Sequence, residues 1–240
     1  MTSALLSEAL APLRANPDRS AILLDIDGTL APIVARPEDA VVRDETRDVL
    51  RALVERYALV GAVTGRPGPD GRKMVSVTDV HVVGNHGLEL EDEAEEWRAR
   101  LASFRDSVAW PVEDKGLALT YHYRTRSDHD AARAELELVA ARAREEGFRA
   151  RFGRMVLEVL PPLDADKGTA VRALLARSRL ERALFAGDDT TDLDAFRALE
   201  ELEVGVRVAV DSAEAPPELV LRADLVVAGP AGLVELLRTL

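Results

Sequence analysis

Short apolar runs recur along this chain, each stopped by polar or glycine-rich residues. Residues 21–24, 58–63, 80–83, 183–186, 204–210 and 225–227 are too brief for helices and contain no proline, so they read as buried strands. Between them, residues 44–57 carry apolar side chains at helical spacing through Val49, Leu50, Leu53 and Val54. Residues 167–176, 191–199 and 231–240 are further helical segments. Such alternation predicts an α/β fold around a doubly wound, mostly parallel sheet. The Pro/Gly-rich stretch 67–71 reads as a loop leading to the third strand.

From residue 88 the rhythm changes. An acidic block at 91–96 opens an amphipathic segment reaching residue 109, and 116–123 alternates like a half-buried strand. Residues 128–146 form a second helical pattern, and 148–151 with 155–160 suggest a hairpin around Gly153-Arg154. Helix, strand, helix, strand, strand is an α+β unit. Residues 88–162 are therefore expected to be a smaller cap inserted into a core made of 1–87 and 163–240, with Pro161-Pro162 marking the return.

Composition narrows the chemistry. Hydrophobic residues make up 47% of the 240, as in a globular chain, and there is no cysteine to form disulfides or thiolate metal sites. A formal charge of -12 argues against nucleic acid and anionic membrane surfaces, both of which require a basic footprint. An anionic substrate would need a local positive site. The first 19 residues show neither a basic leader nor a long apolar run, which points to a cytoplasmic protein outside the membrane. Only three of the 31 basic residues are lysines, Lys73, Lys115 and Lys167, and the asparagines are Asn16 and Asn85. A chain that otherwise uses arginine is expected to keep lysine where a compact point charge is needed.

Candidate chemistry sits where the strands stop. The first run ends at Asp25-Ile26-Asp27-Gly28-Thr29, the second at Thr64-Gly65-Arg66, and the run at 183–186 at Gly187-Asp188-Asp189, with Asp192 beyond; Lys167 opens a helix. In an open α/β sheet the carboxyl ends of the strands share one edge, so these residues converge. Carboxylates from two strands would hold Mg²⁺, a hard cation, while Lys167 and a Thr64 hydrogen bond neutralise phosphoryl oxygens. Asp25 is the candidate nucleophile, giving an aspartyl-phosphate, and Asp27 the acid and base for leaving group and water.

The four motifs resemble those of the haloacid dehalogenase superfamily of phosphatases. That resemblance implies a core of that type, Asp25 as nucleophile, Asp27 as acid and base, and Mg²⁺ held by Asp25, the Asp27 carbonyl and Asp188. Asp189 and Asp192 would lie at the metal's margin. Further stretches are similar to the trehalose-6-phosphate phosphatase family: Gly84-Asn85-His86-Gly87-Leu88-Glu89, Glu113-x-Lys115-Gly116, His122-Tyr123-Arg124 and Glu158-Val159. By that similarity Glu113, Lys115 and Glu158 grip the sugar distal to the phosphate. Arg66, Asn85 and His86 are candidate substrate contacts near it. The resemblance implies hydrolysis of trehalose 6-phosphate, a small sugar phosphate, with a trehalose-6-phosphate synthase as a possible partner. The alternatives are a phosphatase for sucrose, mannosylglycerate or glucosylglycerate phosphate, a sugar phosphomutase, and a non-catalytic sugar-phosphate-binding domain.

Overall fold

The computed structural model describes all residues except Met1, Thr2, Ala35, Arg154, Ala213 and Glu214. The chain divides into two compact units, Met1–Gly87 with Ala165–Leu240, and Leu88–Asp164. Among the described residues no helix is long and apolar enough to cross a membrane.

The larger unit contains α1 (Ser3–Ala15), β1 (Ser20–Leu24), α2 (Asp44–Arg56), β2 (Leu59–Val63), α3 (Gly68–Val75) and β3 (His81–Val83). After the smaller unit the chain returns through α6 (Lys167–Ser178), β8 (Arg182–Gly187), α7 (Asp192–Leu199), β9 (Val204–Asp211), α8 (Pro217–Arg222), β10 (Leu225–Ala228) and α9 (Gly229–Leu237). Its six strands pair in the order β10-β9-β8-β1-β2-β3, all in parallel. Every residue of β1 and β2 is buried, which is what unbroken apolar runs require when helices cover both faces.

One face of this sheet, through Ile22, Leu24, Val60, Leu184 and Val208, packs against Leu10 and Leu13 of α1, Leu50 and Leu53 of α2, and Leu233 and Leu237 of α9. On the other face Phe185 of β8 meets Phe196 of α7 edge to face at 6.3 Å. The strand order reverses direction at β1, whose neighbours are β2 and β8. That reversal opens the crevice where open α/β sheets place ligands.

The smaller unit contains α4 (Ala94–Asp106), β4 (Glu113–Asp114), β5 (Leu119–His122), α5 (His129–Glu145), β6 (Arg149–Gly153) and β7 (Val156–Leu160). Its antiparallel sheet runs β4-β5-β7-β6. Leu119, Tyr121, Leu157 and Val159 face a core completed by Leu101 and Phe104 of α4 and Leu136 and Ala140 of α5. Asp128 caps α5 by accepting a hydrogen bond from the Ala131 amide at 2.9 Å. Gly153 ends β6 as the hairpin reading expects, while Arg154 lies outside the described residues.

The chain departs from the sequence reading at residues 67–71. The expected loop is largely the first turn of α3, with Pro67 as its N-cap and Pro69 in its first turn. Proline is compatible with that turn because the amides there have no intrahelical partner, and Arg72 and Lys73 suit the last turn's partial negative charge. Helices α1 and α8 and the two-residue β4 were likewise not anticipated from the pattern.

Candidate active site

The site begins with the pairing of β1 and β8. Leu24 lies opposite Ala186, and the Asp25 amide donates to the Ala186 carbonyl at 2.9 Å, so the ladder continues one step past β1. Asp25 and Asp188 therefore leave adjacent strands side by side. Gly28, at φ +79, makes the turn that follows, and a Cβ there would lie 1.9 Å from Asp188 Oδ2. Only glycine allows this approach. Thr29, fully buried in the same turn, donates from Oγ1 to Asp188 Oδ1 at 3.2 Å.

Lys167 is the first residue of α6, and a capping box holds that first turn. Asp166 Oδ1 accepts from the Thr169 amide at 2.7 Å, and Thr169 Oγ1 accepts from the Asp166 amide at 3.0 Å. A cation at a helix N-terminus is unfavourable alone, but here two carboxylates flank it. Lys167 Nζ bonds Asp25 Oδ1 at 2.8 Å and Asp192 Oδ1 at 2.7 Å, with all three residues buried. Asp192 Oδ2 accepts from the amides of Asp188 and Asp189, each at 2.9 Å. Gly187 permits this return, since a Cβ there would lie 2.2 Å from the Asp192 carboxyl carbon.

Asp25, Asp188 and Asp192 can each offer an oxygen within 4.8 Å of the others. Both Asp192 oxygens already hold partners, so the two donors left to face a ligand are Asp25 and Asp188. Burial pushes Asp25 well above the usual carboxylate range, opposed by the Lys167 charge and aided by the Asp192 and Asp188 carboxylates. Asp188 is pushed up to about 7 by burial and by Asp192, against Lys167 and the Thr29 hydrogen bond. Burial works against the Lys167 charge, yet Asp192 and Asp25 more than offset it and raise its pKa above the ordinary lysine value. With all three carboxylates ionised, one ammonium would leave a deficit of two positive charges. A divalent cation with oxygen-ligand preference, such as Mg²⁺, fits that deficit and that donor set.

Across the crevice, Thr64 is buried at the end of β2, and its Oγ1 accepts from the Arg66 amide at 3.2 Å. With that acceptor role filled, its single proton can point to an anion. Arg66 bonds Asp27 with both arms of its guanidinium, Nε to Oδ2 and Nη2 to Oδ1, each at 2.7 Å. The Asn85 amide donates to the Arg66 carbonyl at 2.8 Å and the His86 amide to the Thr64 carbonyl at 2.9 Å. Asn85 and His86 both hold left-handed backbone, φ +50 and +53, a conformation non-glycine residues adopt at a cost and which clusters at functional sites.

The sequence-derived candidates thus fall into three groups. Asp25, Lys167 and Asp188 are in one buried cluster. Thr64, Arg66, Asn85 and His86 form a second, with Asp27 reaching into it by its side chain rather than into the carboxylate cluster. The third is in the smaller unit, where Glu113, Thr120, Glu158 and Arg151 lie opposite one another across β4, β5, β7 and β6, on the face away from the core. Glu113 bonds His122 Nε2 at 2.9 Å and lies 3.8 Å from Lys115 Nζ, and Glu158 bonds Arg151 Nε at 2.7 Å. The roles of Thr29 against Asp188 and of Arg151 against Glu158 were missed in the sequence. Thr29 does lie within the first motif, whereas Arg151 carries no local signal.

Comparison with known proteins bears on this arrangement. A profile of the family described as trehalose-phosphatase matches residues 23–110 and 110–218. A probable trehalose-phosphate phosphatase 2 of Oryza sativa subsp. japonica is 28% identical over 236 residues, covering 81% of this chain and 62% of that protein. An uncharacterized glycosyl hydrolase of Mycobacterium tuberculosis is 34% identical over 214 residues, covering 79% of this chain and 16% of that one. The chain therefore spans less than two thirds of either relative. The C-terminal domain of C. albicans trehalose-6-phosphate phosphatase superposes with a TM-score of 0.69 at 22% identity, covering 100% of this chain and 96% of that one. A haloacid dehalogenase-like hydrolase from Bacteroides thetaiotaomicron gives 0.62 at 15% identity, covering 92% and 98%. Both share the fold. The family profile runs through both compact units and takes in each motif residue described above, from Asp25 to Asp192, so the chain belongs to the trehalose-phosphatase family.

Proposed function

We propose that this chain is a Mg²⁺-dependent phosphatase that hydrolyses trehalose 6-phosphate to trehalose and phosphate through an aspartyl-phosphate on Asp25. The observation that carries the reading is the bond from the buried Lys167 ammonium to Asp25, with Asp188 beside it at the end of the adjacent strand. Asp25 and Asp188, with the Asp27 carbonyl by family resemblance, would hold the cation. When bound, Mg²⁺ would supply the positive charge that keeps Asp25 ionised and draws in the phosphoryl oxygens.

In this reading Lys167 and the Thr64 hydroxyl neutralise the remaining phosphoryl oxygens as charge spreads over them in the transition state. An Asp25 oxygen forms a bond to phosphorus while the bond to the sugar oxygen breaks, and Asp27 gives that oxygen a proton. Asp27, now a carboxylate, takes a proton from the water that cleaves the aspartyl-phosphate, restoring Asp25 and releasing phosphate. Glu113, Lys115 and Glu158 would contact the sugar, since a face of paired carboxylates and cations suits hydroxyls that both donate and accept.

The test is phosphate release from a panel of sugar phosphates with Mg²⁺, with Asp25→Asn as the blank. Release from trehalose 6-phosphate that disappears in the variant supports the whole proposal. Release confined to sucrose, mannosylglycerate or glucosylglycerate phosphate would keep the chemistry and overturn the substrate, and an isomerised sugar phosphate in place of free phosphate would make the enzyme a mutase.

A further inference from the structure

Asp27 and Arg66 stand apart from the buried carboxylate cluster and pair with each other. The Asp27 side chain is 40% exposed, yet both of its oxygens are held by a single planar fork at 2.7 Å, and it has no other side-chain partner among the described residues. The fork itself is mounted rigidly. The Arg66 amide donates to Thr64 Oγ1 and its carbonyl accepts from the Asn85 amide, so the backbone is pinned on both sides of the residue. The left-handed turn at Asn85 and His86 thereby connects to Asp27 through Arg66.

We propose that Arg66 is the positioning residue for the acid–base carboxylate: its two parallel hydrogen bonds aim Asp27 at the leaving oxygen. This rests on the role given to Asp27 above. A half-exposed aspartate turns freely about two bonds, and proton transfer requires one of its oxygens within hydrogen-bond reach of the sugar oxygen. Two bonds from a planar donor fix both position and plane, which a single ammonium cannot do. For the first step one Asp27 oxygen gives up its guanidinium bond and takes a proton from solvent, which it passes to the leaving oxygen, while the other oxygen keeps its bond and with it the aim. The doubly bonded carboxylate seen here is the form that accepts the water's proton in the second step. The sequence reading treated Arg66 as a substrate contact. In the structure its guanidinium meets the protein's own carboxylate.

The two roles separate by leaving group. A sugar alkoxide must be protonated as it departs, whereas p-nitrophenolate leaves without help. Arg66→Ala and Arg66→Lys would be assayed on p-nitrophenyl phosphate and on whichever sugar phosphate the wild type turns over fastest, with melting temperatures recorded. In Arg66→Ala, kcat on the sugar phosphate is expected to fall about a hundredfold, as when a general acid is lost. The fall on p-nitrophenyl phosphate is expected to be at least about tenfold smaller, with KM for both within about threefold. Arg66→Lys restores only part of kcat, and Asp27→Asn added to Arg66→Ala lowers the sugar-phosphate rate little further. Equal losses on both substrates, or a raised KM with kcat unchanged, would make Arg66 a phosphate ligand and overturn the proposal. Should Arg66→Ala not fold, the same comparison of the two substrates in Arg66→Lys decides. A wild type inert toward every phosphate ester would overturn the phosphatase reading itself, and this proposal with it.

Discussion

Asp192 serves Lys167 and the backbone of the Asp188 turn with the same carboxylate, one oxygen on the ammonium and the other on two amides. It has 0% exposure, so no water can replace any of these bonds. Asp192→Ala leaves a buried ammonium short of a partner, and removing one side of a buried pair typically costs about 3 to 5 kcal/mol. Urea unfolding is expected to show a loss of that size, with a smaller one for Asp192→Asn. An unchanged midpoint in the alanine variant would contradict this account.

A second prediction concerns pH and the cation. The folded pKa of Asp188, about 7, lies above its ordinary 3.8. Folding therefore favours the protonated form, and the resulting stabilisation is fully present below about pH 4 and lost as pH rises through about 7. Metal-free wild type should lose melting temperature across that window relative to Asp188→Asn. Added Mg²⁺ should raise the wild-type melting temperature more at pH 8 than at pH 5, and should do little for the variant at either. An equal Mg²⁺ effect in both proteins would place the cation elsewhere.

Gly28 tests the close approach directly. Alanine there must adopt φ +79, costing about 1 to 2 kcal/mol, and must displace Asp188 to make room for its Cβ. Misplacing a catalytic group by about 1 Å can cost about a hundredfold in rate. The Gly28→Ala variant should therefore stay folded by circular dichroism while phosphate release falls by about that factor.

In the smaller unit, Glu158→Ala tests the proposed sugar contact apart from phosphoryl chemistry. It is expected to raise KM for the sugar phosphate at least about tenfold while leaving p-nitrophenyl phosphate turnover within about twofold. A matched loss on both substrates would deny Glu158 a role at the sugar.

Tyr121 gives an alkaline counterpart. Its hydroxyl is buried without a hydrogen-bond partner among the described residues, and burial pushes its pKa from 10.0 to about 12. The stabilisation from the neutral phenol is complete below about pH 10 and is lost as pH rises through about 12. Tyr121→Phe should melt at or slightly above the wild-type temperature at pH 7, since no bond is lost, and should hold an increasing advantage above pH 10. A clear drop at pH 7 would show that the hydroxyl does have a partner.

Much of this architecture could be read from local pattern. Unbroken apolar runs in β1, β2 and β8 marked strands buried on both faces, and the polar residues stopping them, Asp25, Thr64 and Asp188, marked one edge of the sheet. The helix α3 was hidden because Pro67 and Pro69 look like loop residues, and only their place in a first turn makes them compatible with a helix. Side-chain pairings were harder. Nothing in the sequence links Arg66 to Asp27, because 39 residues separate them and the contact depends on how two turns pack. Arg151 and Glu158 became partners only once the register of β6 against β7 was known.

The neighbour relation of β1 and β8 also bears on how the protein is made. Asp25 leaves the ribosome more than 160 residues ahead of Asp188, and β1 meanwhile can find only β2 on one side. Until β8 arrives, its other edge is an open template for wrong strand pairing, and Asp25 lacks Asp188 at the end of a neighbouring strand. So distant a pairing forms slowly, because a long loop must close before the contact is gained. Activity should thus be among the last properties a refolding chain recovers, appearing after most helical signal, and the interval between the two is when chaperones matter most.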